Sequence, residues 1–417
     1  MSAIPIQSTT PANTPKNQRP IRVLVLASHV VQYASPLFQL LSADPRMEIL
    51  VAYCSLQGAE SGWDPEFGIE VQWDQPLLDG YQWKQFPNRS SRPGLGRFFG
   101  LLNPGLWRQI RSGNFDAIVI YTGYMYASFW IAVAAAKSKG ISVLMSSDST
   151  GVRTKDGSKW KSWLKPFILR RVYRCCDILL ASSPAITNFA VSVGMPPERI
   201  VMVQSDMYKE DWQSRAAKFD RCEIRKSWNI PESAAVVLFC GKLQEWKRPL
   251  DLVNAFANAQ LPDAYLVIAG EGPLRGDVER TVEEFGIQER VKLLGFVNST
   301  HLPGCYVAAD LLVLPSRYDG SPLVVPEAMF TGIPVILSDT IVGRAAMIRP
   351  GKSGYLFRCG DTEELARLLR KILSDPEHLS ALKAGVVEQM QSWTAQKFAD
   401  SWFLAIKTAL ARKQKAS

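Results

Sequence analysis

Histidine is scarce in this chain. Three residues, His29, His301 and His378, are scattered through 417, no D-x-D occurs, and nothing supplies the basis of a metal site. Cysteine is sparse and unpaired by pattern: seven residues, an odd count without a C-x-x-C, argue against a disulfide framework or a zinc ribbon. Long apolar runs are missing too. The nearest candidate for a span, Phe129–Ala136, falls far short of the roughly 20 residues that crossing a bilayer requires and reads as a buried helix. These absences point to a reducing, cytoplasmic setting, with attachment to a membrane left only at its surface. The first 20 residues are polar, carry three prolines and have no apolar core, which predicts a disordered leader rather than a signal peptide.

What is present is an ordinary globular composition on a basic chain. Apolar residues make up 47% and charged residues 21%, the net charge is +9 and the pI about 9.1. Such an excess suits an anionic ligand, an anionic membrane or nucleic acid without choosing among them; nucleic acid is disfavoured because no recognisable binding module accompanies the charge. The length exceeds one ordinary core and predicts two domains. Continuous apolar strands alternate with helical stretches in both halves, at Ile21–Ser28, Phe115–Tyr121, Ile141–Ser147 and Asp177–Ser183, and again at Ala234–Gly241, Ala264–Gly270, Val291–Phe296, Asp310–Ser316 and Ile333–Asp339. This is the pattern of doubly wound parallel sheets. The expected organisation is a Rossmann-like domain over 21–208, a charged, aperiodic connection over 209–230, a second Rossmann-like domain over 231–392 and a terminal helix over 393–417. Ligands then belong in a cleft between the carboxyl ends of the two sets of strands.

Four stretches in the second half carry chemistry. The loop "RYDGSP" follows a strand and precedes the helical "LVVPEAMFTG", with Asp319 and Glu327 eight positions apart. Gly320 and Ser321 lie in the loop, and the amides of Leu323, Val324 and Val325 are expected to be free donors at the helix start. Glu327 can accept both hydrogen bonds of a vicinal diol. A plain turn former and a first-turn acid explain the same spacing. Upstream, "GKLQEWK" places Lys242 and Lys247 between a strand and a helix, suited to a diphosphate but also to solvent. "AGEGP" carries Gly270 and Gly272, which by themselves read as a plain turn but are small enough for a flat ligand to approach, and "LLGFV" brings Gly295, Phe296 and Val297, whose backbone can read a base edge.

Taken in this order, with "GKSGYLF" (Gly351–Phe357) following, these motifs resemble glycosyltransferase family 4 of the GT-B fold, closely over about Ala234 to Leu373 and more loosely elsewhere. The resemblance implies two Rossmann-like domains facing a central cleft. It implies a nucleotide-diphosphate-sugar donor held by the second domain, an acceptor hydroxyl offered by the first, and transfer with retention. By position, Glu327 becomes the ribose ligand, Asp319 the acid beside the donor sugar, and Lys242 and Lys247 the cations on the diphosphate, so that no metal is required. Asp319 stands where the family usually has Glu, and Lys242 where it more often has Arg. Tyr121 occupies the region where the family often carries a histidine. His29, after the first strand, is either a cleft residue or a loop histidine bonded to backbone; Asp148, in "SSDST", is a further acceptor-side candidate. The rival expectations are a nucleotide-sugar epimerase or hydrolase on the same architecture and a catalytically inactive nucleotide-sugar-binding protein.

One more stretch stands apart. Val152–Arg174 holds eight basic residues against Asp156, interleaved with Trp160, Trp163, Phe167 and Ile168. Such a surface fits an anionic membrane and hence a lipid-linked acceptor or a polysaccharide one. The same spacing fits a helix packing its aromatics into a core.

Overall fold

The computed structural model describes residues 19–64, 67–152, 159–203, 209–320, 322–341, 343 and 347–416. The leader up to residue 18, Arg153, Lys155, Asp156 and Ser321 lie outside them. In the first half the strands are β1 (Ile21–Ala27), β2 (Met47–Tyr53), β3 (Gly62–Asp64), β4 (Ile69–Val71), β5 (Trp83–Gln85), β6 (Ala117–Ile120), β7 (Ser142–Ser147), β8 (Ile178–Ala181) and β9 (Ile200–Met202). The helices between them are α1 (Ala34–Ala43), α2 (Gly105–Ser112), α3 (Ala127–Ser138), α4 (Lys159–Cys175) and α5 (Pro184–Ser192). Seven of the strands make a parallel sheet in the order β5-β2-β1-β6-β7-β8-β9, while β3 and β4 form a separate antiparallel hairpin.

The second half opens with α6 (Lys209–Ala216) and α7 (Arg221–Ser227). Its strands are β10 (Ala235–Cys240), β11 (Ala264–Ala269), β12 (Val291–Gly295), β13 (Leu311–Leu314), β14 (Val335–Ser338) and β15 (Gly354–Phe357), all parallel, in the order β12-β11-β10-β13-β14-β15. The helices are α8 (Pro249–Ala259), α9 (Arg275–Glu284), α10 (Leu302–Ala308), α11 (Val324–Phe330), α12 (Thr362–Leu373) and α13 (Pro376–Met390), followed by the long α14 (Ala395–Ala416).

The continuous apolar runs have a simple cause. Successive strand side chains point to opposite faces, and here helices cover both. In β1, Leu24 and Leu26 enter the core beneath α2, α3 and α4, while Val23, Val25 and Ala27 enter the core on the other side. That side of the first-domain core is completed by α1 and by α14, whose Phe398, Trp402, Ala405, Ile406 and Ala409 are buried on the first sheet. The chain's last helix therefore returns to the domain in which the chain begins.

The stretch from 209 to 230 differs from its expected character. It forms two helices rather than an aperiodic connection: Trp212, 1% exposed, and Ile230 are buried in the core of the second domain. Arg225, also 1% exposed, donates to Asp310 at 2.7 Å and to the carbonyls of Ala308, Glu232 and Ala234. Arg221 and Lys383 reach the other Asp310 oxygen, both at 2.6 Å. A high charge density concealed a folded pair of helices clasped to the start of β13.

Candidate active site

In an open parallel sheet the crevice lies where strand order reverses. In the second sheet that point falls between β10 and β13. The loop after β10 carries Lys242 and Lys247, and the loop after β13 carries Asp319 and Gly320. The two loops are tied together by the Arg317 amide, which donates to the Trp246 carbonyl at 2.7 Å, and by an ion pair between Lys247 and Asp319. Both of those side chains are largely buried, so each charge is balanced by the other within the protein.

Gly270 and Gly272 have a different role from the expected one. A side chain at Gly270 would lie 1.9 Å from the Gly241 carbonyl oxygen. One at Gly272, whose φ is +153°, would lie 2.6 Å from that of Leu243. These glycines let the loop after β11 close onto the Lys242 loop, sealed by the Leu243 amide donating to the Glu271 carbonyl at 2.8 Å. Their smallness is taken up by protein backbone. Gly295 ends β12 at φ +70°, beside a register shift against β11; the next residue, Phe296, meets Phe67 and Trp73 of the first domain, while Val297 packs against the second-domain core.

The helix α11 begins one position later than the motif implied. Leu323 is its N-cap and Pro322 precedes it, so the Val325 amide already donates to the Pro322 carbonyl at 3.4 Å. Of the three amides expected to be free, Val325 is therefore engaged. Glu327 lies in the first turn, 7% exposed, and accepts a 2.5 Å hydrogen bond from the Tyr306 hydroxyl. Burial raises its carboxyl to about 7, while the Tyr306 bond and the charge of Arg215 pull it down. It lines a small interdomain cavity with Arg215, Trp212, Leu323 and Ser299 from its own side and Gln32 and Tyr33 from the first domain.

The first domain meets this site along a broad seam. Its own switch point lies between β1 and β6, where His29 and Tyr121 follow the strands. His29 pairs its Nδ1 with the Ser28 hydroxyl at 2.9 Å, and burial lowers its pKa and favours the neutral ring. Tyr121 packs its ring against Phe38 and stacks on Trp402 of α14, 6.0 Å between centroids. Asp148 lies across the seam from Gly320: a side chain there would sit 3.8 Å from its Oδ2. Burial and the charges of Asp148 and Asp319 together raise the Tyr318 hydroxyl, so the two acids flank one phenol. The hairpin side adds Lys242–Asp64 at 3.1 Å and edge-on packing of Phe67 on Phe296, 5.1 Å between centroids.

The structure thus pairs Lys247 with Asp319, sets Gly320 opposite Asp148 and gives Lys242 to Asp64 of the hairpin, while Glu327 and Leu323 line the small interdomain cavity and Tyr121 packs against the first core. Sequence reasoning missed Arg215, Tyr306 and Asp64. Arg215 was hidden in the supposed connection, Tyr306 in a helix of seven residues, and Asp64 in a loop-rich insertion; none carried a spacing signal.

Comparison with known proteins adds the family. A model described as glycosyl transferase 4-like domain matches residues 22–205, and one described as glycosyl transferases group 1 matches 220–386. D-inositol 3-phosphate glycosyltransferase 1 of Catenulispora acidiphila is 26% identical over 342 residues, 78% of this chain and 79% of that protein. UDP-Gal:alpha-D-GlcNAc-diphosphoundecaprenol alpha-1,3-galactosyltransferase of Escherichia coli is 28% identical over 184 residues, and the match spans 46% of its length. The fold matches that of Anabaena HepE, solved with UDP and glucose, with a TM-score of 0.70 at 17% identity over 93% of this chain and 100% of that one. Two sheets of parallel strands facing across a seam, with both halves matched in order by these models, make the chain a GT-B glycosyltransferase that belongs to the group 1 transferases of glycosyltransferase family 4.

Proposed function

We propose that the protein transfers a sugar from a nucleoside-diphosphate donor to an acceptor hydroxyl, with retention at the anomeric carbon. The observation that carries this reading is that Lys242, Lys247 and Asp319 lie in the two loops at the switch point of the second sheet, with Glu327 in the helix that follows. The anomeric carbon–oxygen bond to the diphosphate breaks and the acceptor oxygen bonds to that carbon. The electron pair goes to the departing diphosphate, and the acceptor's proton leaves with it or to water. Lys242 and Lys247 are placed to neutralise charge that develops there, where such contacts accelerate a reaction most. Lys242 and Lys247, each paired with a carboxylate in the structure, are the cations proposed for the diphosphate, and the proposed chemistry is metal-independent. Glu327 takes the ribose diol, and Asp148, across from Gly320, faces the acceptor side. The related proteins' names, HepE with UDP and glucose and the galactosyltransferase acting on a diphosphoundecaprenol-linked sugar, support a UDP-type donor and a glycan or lipid-linked acceptor.

Helix α4 supports a lipid-linked acceptor and peripheral attachment. No helix among the described residues is long and apolar enough to cross a membrane. Yet Trp160, Trp163 and Phe167 are 66%, 71% and 52% exposed, while Leu169, Val172 and Tyr173 of the same helix fill the core. The aromatics interleaved with lysine and arginine therefore face outward, as an interfacial helix requires.

Calorimetric titration with UDP, ADP and GDP, followed by transfer assays with the matching sugar nucleotides, tests the assignment. Glu327→Ala is expected to weaken binding and reduce transfer at least about 100-fold. Full transfer by that variant defeats the assignment, and transfer that stops on adding EDTA defeats its metal-independence.

A further inference from the structure

The hairpin β3–β4 belongs to the first domain but is docked on the second. Asn298 donates to the Gln72 carbonyl at 2.7 Å, the Asp74 carboxylate accepts from the Thr300 amide at 3.0 Å, and Phe67 and Trp73 close on the Phe296 ring. At the end of β3 this docking delivers Asp64 to Lys242, whose ammonium reaches both carboxylate oxygens, at 3.1 and 3.3 Å. The same ammonium lies 4.5 Å from the centre of the Phe67 ring. Two features of the hairpin therefore address one cation, and that cation is the one read above as a partner of the donor diphosphate.

We propose that Asp64 is a positioning residue that acts through Lys242, holding the lysine in the closed seam and competing with the donor diphosphate for it. The inference rests on the donor assignment above. A diphosphate beside Lys242 and the Asp64 carboxylate are two anions sharing one ammonium. Whatever weakens the Asp64–Lys242 pair must strengthen anion binding at Lys242, and the linkage runs equally in reverse. Both partners are about a quarter exposed, so the effect is that of a partly screened pair, about three- to five-fold. Lys247 provides the contrast, since its carboxylate, Asp319, comes from its own domain. Of the two cations, Lys242 is the one that pairs with the first-domain hairpin among the described residues.

The experiment is a double-mutant cycle read by titration with UDP, ADP and GDP. Asp64→Asn is expected to lower the dissociation constant of the bound nucleotide about three- to five-fold at low salt. Asp64→Glu, which keeps the charge, is expected to restore the wild-type value, and Asp64→Asn in a Lys242→Ala background is expected to change nothing further. In transfer assays Asp64→Asn should lower KM for the donor and lower kcat as well, because the product nucleoside diphosphate leaves more slowly; a merely structural loss would not tighten binding. Unchanged or weakened binding by Asp64→Asn, or equal tightening without Lys242, overturns the proposal while leaving the donor assignment intact. A wild-type protein that binds none of the three nucleotides overturns both.

Discussion

The two halves of the molecule share an architecture but differ in what they leave outside. In the second, apolar side chains are used almost entirely within: up to the end of α13 its exposed large hydrophobics among the described residues are Phe285 and Val387, and α14 adds Leu404. The first exposes Phe98, Phe99, Trp107, Met125, Trp160, Trp163 and Phe167, and Phe98 and Phe99 follow a run with Arg89, Arg92 and Arg97 and without an acid. Under the proposals above, the second half acts as a receptacle for a small anionic ligand at its loop ends, and the first acts through a helix face and a docked hairpin. The two halves share a sheet topology, and the difference between them lies in which residues fail to be buried.

The sharpest way to break the comparison is to open the interior of the second half. Asp310 balances Arg225, Arg221 and Lys383; burial pushes its carboxyl up, but the charge and hydrogen bond of Lys383, the charge of Arg221 and the Val236 amide hold it below the usual range. Asp310→Ala leaves Arg225 buried without a counter-charge and should cost about 3–5 kcal/mol of stability, measured by urea unfolding. A loss below 1 kcal/mol would show that the clasp is incidental.

Next in size is the cost of the ligand site itself. Glu327 titrates near 7 in the folded chain and, as a free carboxyl, near 4.5 when unfolded. Its folded value is raised, so ionisation opposes folding. Below about 4.5 both states are protonated and the cost is nil; it grows as pH rises to about 7 and is constant above. At about 1.4 kcal/mol per unit this amounts to roughly 3 kcal/mol. Glu327→Gln should therefore be more stable than the wild type by about that much at pH 8 and indistinguishable from it near pH 4.5, by thermal melts across pH. Equal stabilities at pH 8 would mean that the carboxylate is not desolvated.

The smallest expected effect sharpens the other side of the contrast. Replacing Trp160 and Trp163 of α4 by serine should lower sedimentation with anionic vesicles about ten-fold without shifting the melting temperature, because neither side chain supports the core. Binding equal to that of the wild type, or a wild type that ignores anionic vesicles, would remove the surface role of the first half.

The donor half was legible because its chemistry sits at the junctions of strand and helix, where residue type and spacing report position directly. Lys242, Lys247, Asp319 and Glu327 could each be placed at a strand end or a first helical turn from local pattern alone. For Gly270 and Gly272 the structure adds that the backbone of Gly241 and Leu243 occupies the space a side chain would take, which a sequence cannot show. The helices over 209–230 were illegible because charge pairs, rather than an apolar stripe, hold them.

The residues by themselves determined the two parallel sheets, through apolar runs that only two-sided burial explains, and the order of motifs along the donor half. Tertiary structure alone decided that Asp64, 178 positions from Lys242, pairs with it. It also decided that Arg215 and Tyr306 shape the surroundings of Glu327, that α14 completes the first core, and that the aromatics of α4 face outward. Local pattern fixes what a segment can become, because backbone hydrogen bonding and side-chain period act over a few residues. Which segments meet depends on the free energy of burying them together, and that is a property of the whole chain.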